Sequence, residues 1–338
     1  MIVEMRRGAT AVEIDAVVAR AHHYGFETQL NVGTDKVVVA VLGSETGRTP
    51  TDVFAILDGV ESVTRIMRPY KLASLDFKPE PTQVRIGEAV VGGPRIVVMA
   101  GPCSIESAEI LMSTARFVSK HGATVIRGGA FKPRTSPFSF QGLGNEGLQI
   151  LGAMRSELGL PVVSEITDPH QLDEIVEHVD VLQIGARNMQ NYALLRAVGQ
   201  SSKPCVLKRG LAATVTEWLQ AADYVLAGGN AQVILCERGI RTFEDSTRFT
   251  LDISAIGVVK RNSHLPVIVD PSHAAGHYAL VPTLARAAVA AGADGLIVEV
   301  HPDPANALSD GLQSLSFANF ARLMEELRPL ASAIGRSI

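Results

Sequence analysis

The sequence predicts an α/β protein, a (β/α)8 barrel of the TIM type preceded by a small α+β domain with a ferredoxin-like element order. Three observations point there. From Arg95 onward, eight short, nearly continuous apolar runs alternate with amphipathic segments. Residues 1–70 carry a different pattern, β-α-β-β-α-β. Between the two, periodicity is lost and prolines and glycines accumulate, as in a linker. At 338 residues the chain is long for one domain, which fits a large barrel with a small companion.

In the first 70 residues, "MIVEM" reads as a strand and "ATAVEIDAVVARAHHYG" as an amphipathic helix stopped by Gly25. "FETQLNVG" and "DKVVVAVLG" read as strands, "TPTDVFAILDG" as a second helix with a Thr or Asp start, and "VESVTRIMRP" as a final strand. Small domains of this kind often sense ligands, which leads us to expect a regulatory role for residues 1–70. Residues 71–94 form the expected linker, with a short hairpin around "QVRIGEAVV". The barrel is expected over residues 95–338. Its runs are "RIVVMAG", "TVIRGG", "PVVSEI", "DVLQIG", "PCVLKRG", "QVILCERG", "PVIVDPS" and "GLIVEVHP". Runs this uniformly apolar suit parallel strands buried on both faces, and eight such units over about 240 residues have the dimensions of a TIM barrel. An open doubly wound sheet would carry a Gly-rich dinucleotide turn after its first strand, and "AGPCSIES" is not one.

Composition removes several function classes. Apolar residues make up 46% and charged residues 20%, enough for a core and unlike a disordered chain. Net charge is −4 with scattered basic residues, which argues against a nucleic-acid surface or a polybasic membrane patch. No run has signal-peptide or membrane-span character, so a cytoplasmic location is expected. The three cysteines have no CxxC spacing, so neither a disulfide framework nor a thiolate-rich zinc site is indicated.

In a TIM barrel the chemistry sits at the C-terminal ends of the strands. Here those ends carry Cys103, Arg127 with Lys132, Glu165, Arg187, Lys208 with Arg209, Glu237 with Arg238, Asp270 with His273, and Glu299 with His301. A single charged residue on a rim is commonplace. Five or more cations converging on one mouth repel each other unless an anion sits among them, which points to a substrate bearing phosphate or carboxylate groups. Cys103, His273, Glu299 and Asp310 form a second set, a thiol, an imidazole and two carboxylates suited to a borderline divalent ion. Each has a plainer reading as well: Cys103 as a small buried apolar residue, His273 as a loop histidine bonded to backbone. Cys205 and Cys236 lie inside apolar runs and read as core.

Taken together, "AGPCSIES", "RGGAFKPRTSPFSFQGLG", "SEITDP", "QIGARNMQN", "LKRG", "CERGIRTFE", "VDPSHAAG" and "EVHPDPANALSDGLQSL" resemble the 3-deoxy-D-arabino-heptulosonate 7-phosphate (DAHP) synthases, first enzymes of the shikimate pathway. The likeness covers the whole barrel, with motifs in order at all the strand ends, and residues 1–70 resemble the ACT-like regulatory domain of one subgroup. It implies condensation of phosphoenolpyruvate with erythrose 4-phosphate, and Cys103, His273, Glu299 and Asp310 as ligands of a divalent metal. Mn²⁺ is the first expectation, with Fe²⁺, Co²⁺ or Zn²⁺ as alternatives. It also implies Arg127, Lys132, Arg187, Lys208 and Arg238 as phosphoenolpyruvate cations, with Glu165 and the backbone of Gly185 and Ala186 beside them. Arg134, Thr135 and Ser136 fall to the sugar phosphate, with Asp270 near its hydroxyls. Lys132, Glu165 and Asp270 are the candidates for proton transfer and for orienting water. Inhibition by tyrosine or phenylalanine and a homotetramer belong to the same expectation.

The sister enzyme, 3-deoxy-manno-octulosonate 8-phosphate synthase, shares the barrel and the phosphoenolpyruvate site. Its loop resembles "KANRSS" where this chain has "KPRTS", and Pro133 stiffens that loop by fixing φ. A non-catalytic sensor would be expected to have lost a metal ligand or Lys132, and all are present. One departure from related chains is Leu312, which puts in doubt any hydrogen bond that a polar residue there would give to the metal site.

Overall fold

The computed structural model describes residues 1–33, 36–65, 68–133 and 136–338. It divides into two compact units, Met1–Pro81 with Asn262–His264, and Thr82–Arg261 with Leu265–Ile338.

The first unit contains strands β1 (Ile2–Met5), β2 (Glu27–Val32), β3 (Val37–Leu42) and β4 (Val60–Thr64), and helices α1 (Ala11–His23) and α2 (Asp52–Ala55). The sheet order is β2-β3-β1-β4 with antiparallel neighbours, the ferredoxin-like topology. Thr10 starts α1 with a capping box closed by Glu13. Met5, Val17, Ala21, Val39, Val41 and Phe54 are among the residues that pack together between helix and sheet. The second helix is shorter than the sequence led us to expect. After α2 the chain tightens, Leu57 N–H bonding Phe54 O at 3.1 Å, an i to i−3 contact that ends the helix just past its first turn.

The second unit opens with an antiparallel hairpin of β5 (Val84–Ile86) and β6 (Ala89–Val91). Eight parallel strands follow and close into a barrel: β7 (Val97–Gly101), β8 (Val125–Arg127), β9 (Val162–Ile166), β10 (Val181–Ile184), β11 (Cys205–Lys208), β12 (Val233–Glu237), β13 (Val267–Val269) and β14 (Gly295–Glu299). Between or after them run α3 (Ala108–Lys120), α4 (Asn145–Leu158), α5 (Leu172–His178), α6 (Tyr192–Gly199), α7 (Val215–Ala227), α8 (Ser254–Asn262), α9 (Pro271–Ala275), α10 (Val281–Ala290) and α11 (Phe317–Ala333). Each of the eight apolar runs became one strand, because a parallel strand roofed by helices needs apolar side chains on both faces. The hairpin residues Val84, Ile86 and Val91 share one core with Val97, Val125, Val163, Val181 and Ile268 from the strand starts. This seals the N-terminal end of the barrel with apolar side chains and leaves the polar groups at the other end.

Candidate active site

Side chains alternate across a strand, so adjacent charged residues at a strand end face different ways. Lys208 and Arg238 line a cavity of about 260 Å³ at the barrel mouth. Arg209 and Glu237, their chain neighbours, do not line it and bind each other. Arg209 Nη1 donates to Glu237 Oε2 at 2.9 Å and to Asp252 Oδ2 at 2.8 Å. One pair of strand-end residues serves the mouth and the other serves the wall.

The cavity also receives Lys132 and Ser136 from the loop after β8, Glu165 from β9, and Gly185, Ala186 and Arg187 from the turn after β10. Pro133 and Ser139 line it too, while Arg134 and Thr135 lie outside the described residues. Two glycines make the close packing possible. A Cβ on Gly129 would stand 2.8 Å from Lys132 Cε, so the lysine folds back over that glycine. A Cβ on Gly185 would stand 2.0 Å from Glu165 Oε1, so any side chain there displaces the carboxylate. Glu165 Oε2 accepts from Gln183 Nε2 at 3.3 Å.

The buried cations are matched by carboxylates behind the cavity. Lys208 Nζ donates to Asp270 Oδ2 at 2.5 Å, and His273 Nδ1 lies 2.8 Å from the same oxygen. Asp270 also caps α9, Oδ1 accepting His273 N–H at 2.9 Å. Burial works against its charge, yet His273, Lys208 and that backbone bond hold its carboxyl well below the usual range. Burial lowers the His273 imidazole. Arg127 does not line the cavity; its Nη1 donates to Glu299 Oε1 at 2.7 Å, and its buried Nε has no hydrogen-bond partner among the described residues. Burial opposes the charge on Glu299, but His273, Arg127 and Lys132 hold its carboxyl below the ordinary value. Burial also lowers Arg238, whose Nη1 is buried without a partner among the described residues and whose Cζ sits 4.3 Å from the Phe249 ring centroid.

Cys103, Glu299 and Asp310 come together with ligand atoms all within 4.8 Å of one another. Cys103 Sγ donates to Asp310 Oδ2 at 3.2 Å. Burial, and then Glu299, push the Cys103 thiol up to about 12. The thiol is therefore protonated at neutral pH, and a metal ion must displace its proton to bind. His273 adjoins the set, Nε2 being 3.5 Å from Glu299 Oε1, but is not one of the three mutually close residues. A thiol and two carboxylates converging from β7, β14 and the loop beyond it fit a borderline divalent ion. Asp310 has φ 49°, a left-handed conformation that Asp tolerates better than most residues.

Sequence reasoning missed Arg248, Phe249 and Gln313. Arg248 lines the cavity and Phe249 lies under Arg238. Leu312 is 65% exposed, and the hydrogen bond in doubt there comes instead from its neighbour, Gln313 Nε2 donating to Glu299 Oε2 at 2.6 Å. Gln313 stands in the motif that carries Asp310, but a polar residue in a loop has many uses, and its target is known only once the loop is folded. "STRFT" carries no signal beyond one Arg in a polar stretch.

Family comparison agrees with this geometry. Residues 76–334 match the DAHP synthetase I family, and residues 1–68 match the DAHP synthase ferredoxin-like domain. A phospho-2-dehydro-3-deoxyheptonate aldolase of Thermotoga maritima is 48% identical over 335 residues, 99% of each chain. A 2-dehydro-3-deoxyphosphooctonate aldolase of Xylella fastidiosa is 34% identical, over 69% of this chain and 90% of its own. The crystal structure of a Thermotoga maritima DAHP synthase superposes with a TM-score of 0.79 at 47% identity, covering 99% of this chain and 98% of that one. With one family model spanning the barrel, a second spanning the first unit and a relative matching end to end, the chain belongs to the DAHP synthetase I family.

Proposed function

We propose that this protein is a DAHP synthase, condensing phosphoenolpyruvate with erythrose 4-phosphate and water to give DAHP and inorganic phosphate at the head of the shikimate pathway. The observation that carries the reading is one cavity shared by Lys132, Arg187, Lys208 and Arg238 with Asp310 of the Cys103, Glu299, Asp310 cluster. Phosphoenolpyruvate bears a phosphate and a carboxylate, and fixed arginine forks suit both. Arg187, Lys208 and Arg238 bind these groups, and Nη1 of Arg238, without a partner among the described residues, gains an acceptor. Ser136, with Arg134 and Thr135, takes the sugar phosphate.

A divalent ion, Mn²⁺ in this reading, would be held by Cys103, Glu299, Asp310 and His273, and when bound it supplies Lewis-acid polarisation of oxygen at the reacting centre. Carbon 3 of the enol bonds to the aldehyde carbon, and Lys132 Nζ delivers a proton to the aldehyde oxygen. Water adds at carbon 2, and phosphate leaves with cleavage of its C–O bond, taking up the proton of the carbon-2 hydroxyl as the ketone forms. Glu165 orients that water and accepts its proton. Asp270 is poorly suited to this task, since both its oxygens are already engaged by Lys208, His273 and the cap of α9. Holding two anionic substrates in reacting geometry supplies a large part of the rate.

The test is loss of enol absorbance on mixing protein, Mn²⁺, phosphoenolpyruvate and a sugar phosphate. Turnover with erythrose 4-phosphate is expected; faster turnover with arabinose 5-phosphate would select the octulosonate reaction, and none with either would remove both. Cys103→Ala should abolish metal-dependent activity, and full activity in chelating buffer would refute the ligand set. We assign residues 1–70 to feedback inhibition by tyrosine or phenylalanine in a cytoplasmic homotetramer. An inhibition that persists after removal of residues 1–71 would end that assignment.

A further inference from the structure

Two residues outside the metal-ligand set hold it in place. Glu299 is a buried carboxylate whose two oxygens have different partners: Oε1 accepts from Arg127 at 2.7 Å, and Oε2 accepts from Gln313 Nε2 at 2.6 Å. Gln313 is itself buried, 2% exposed. A side-chain amide has a donor end and an acceptor end, and a flipped Gln313 would turn its carbonyl toward the carboxylate. Arg248 excludes the flip, because its Nη1 donates to Gln313 Oε1 at 2.8 Å and that contact suits only the carbonyl. The same Nη1 lies 3.5 Å from Asp310 Oδ1, so one guanidinium reaches Asp310 directly and Glu299 through Gln313. Arg248 is fixed in turn. Its Cζ is 5.9 Å from the Phe249 ring centroid, its N–H bonds Ala275 O at 3.3 Å, and a Cβ on Gly276 would come within 2.5 Å of its own Cβ.

We infer that Arg248 and Gln313 form a positioning relay for the metal, with Arg248 setting the orientation of the Gln313 amide and Gln313 setting the rotamer of Glu299. The inference rests on the metal reading of Cys103, Glu299 and Asp310 and adds two residues that do not touch the ion. Partners of this kind govern metal affinity because they fix ligand orientation before the ion arrives. Arg248 also faces the substrate cavity, so the relay joins the anion site to the metal site through two side chains.

Removing Arg248 separates this idea from simple electrostatics. A cation beside Asp310 disfavours a metal ion, so charge alone makes Arg248→Met bind Mn²⁺ more tightly. The relay makes the same variant bind more weakly, because Gln313 is free to flip. The experiment is equilibrium dialysis of Mn²⁺ against metal-free wild type, Gln313→Leu, Arg248→Met and Arg248→Lys, with melting temperature recorded for each. Gln313→Leu should weaken Mn²⁺ binding about 10-fold, the lower end for loss of a group that orients a ligand. Arg248→Met should weaken it in the same direction, Arg248→Lys should recover most of that loss, and saturating Mn²⁺ should restore most of kcat in Gln313→Leu. Wild-type or tighter binding by Arg248→Met overturns the relay, and that arm stands if Gln313→Leu fails to fold. Absence of Mn²⁺ binding by wild type overturns the metal reading itself, a different result from equal binding by all four proteins, which overturns the relay alone.

Discussion

Arg209 and Lys208 are adjacent, both cationic and both at the end of β11, yet they should fail in opposite ways when replaced. Arg209→Met removes the partner of Glu237, which is fully buried. It also removes a bond to Ala213 O at 2.8 Å and a contact with the Trp218 ring at 6.0 Å. Gly239 N–H still donates to Glu237 Oε1 at 2.8 Å, which softens the loss. Breaking a buried ion pair by removing one partner costs about 3–5 kcal/mol, and the surviving bond places this case near 3. For a domain of this size each kcal/mol is worth about 2–4 °C, so calorimetry of the full chain should show a melting temperature lower by about 6–12 °C. Burial already raises the Glu237 carboxyl and Arg209 restrains the rise, so in Arg209→Met it rises further. The folded variant then holds this proton more tightly than the unfolded chain, and its deficit should shrink as pH falls from 7 toward the ordinary glutamate value. Arg209→Met/Glu237→Met should regain most of the stability, because the uncompensated charge is gone. The KM for phosphoenolpyruvate should hardly change in Arg209→Met and should rise in Lys208→Met. A loss below about 1 kcal/mol, or a double variant no more stable than the single, would refute the assignment of Arg209 to the wall.

Two further outcomes follow from the same structure. Burial pushes the His264 imidazole down to about 4, while its Nε2–H donates to Leu72 O at 2.7 Å. The unfolded chain takes up this proton below about 6.5 and the folded one near 4, so stability should fall by about 2 kcal/mol between pH 7 and 5. In urea unfolding, His264→Gln should lack this slope, and a wild type and variant separated by the same amount at pH 7 and pH 5 would contradict it. Phe249→Leu removes the ring that Arg238 stacks on, a contact worth about 1–2 kcal/mol when desolvated, and should lower kcat/KM for phosphoenolpyruvate about 5- to 30-fold. Phe249→Tyr keeps the ring and should keep the rate; equal loss in both variants would mean that shape matters there and stacking does not.

The barrel was legible because its rule is local. A run such as "DVLQIG" is apolar on both faces, and that alone identifies a strand covered on both sides, here β10. The second helix of the first unit was less legible, because "TPTDVFAILDG" has helical spacing over a segment that holds little more than one turn before it tightens. In the site, the sequence named the groups but not their partners. Arg127 and Glu299 are 172 residues apart, and Arg248 and Gln313 are 65 apart. Nothing in the spacing of either pair says that they touch. Motif resemblance supplied Arg127 as a substrate cation, whereas the fold keeps it out of the cavity lining and pairs it with Glu299, a metal-ligand candidate.

The division of charge between wall and mouth is what favours catalysis over storage of a stable ion-pair network. A fold that only needed these cations for stability would pair each with carboxylates, as it pairs Arg209 with Glu237 and Asp252. At the mouth, Lys208 is anchored from behind by Asp270, while Arg238 keeps a buried Nη1 without a partner among the described residues. An unsatisfied buried donor costs about 1–3 kcal/mol, more when charged. An anion in the cavity offers Arg238 Nη1 an acceptor, so a substrate bearing phosphate and carboxylate satisfies that donor as it binds. The same logic explains why the carboxylates stand where they do. Asp270 holds Lys208 from behind the cavity, Glu299 holds Arg127 outside the cavity lining, and Glu165 brings a carboxylate to the cavity itself.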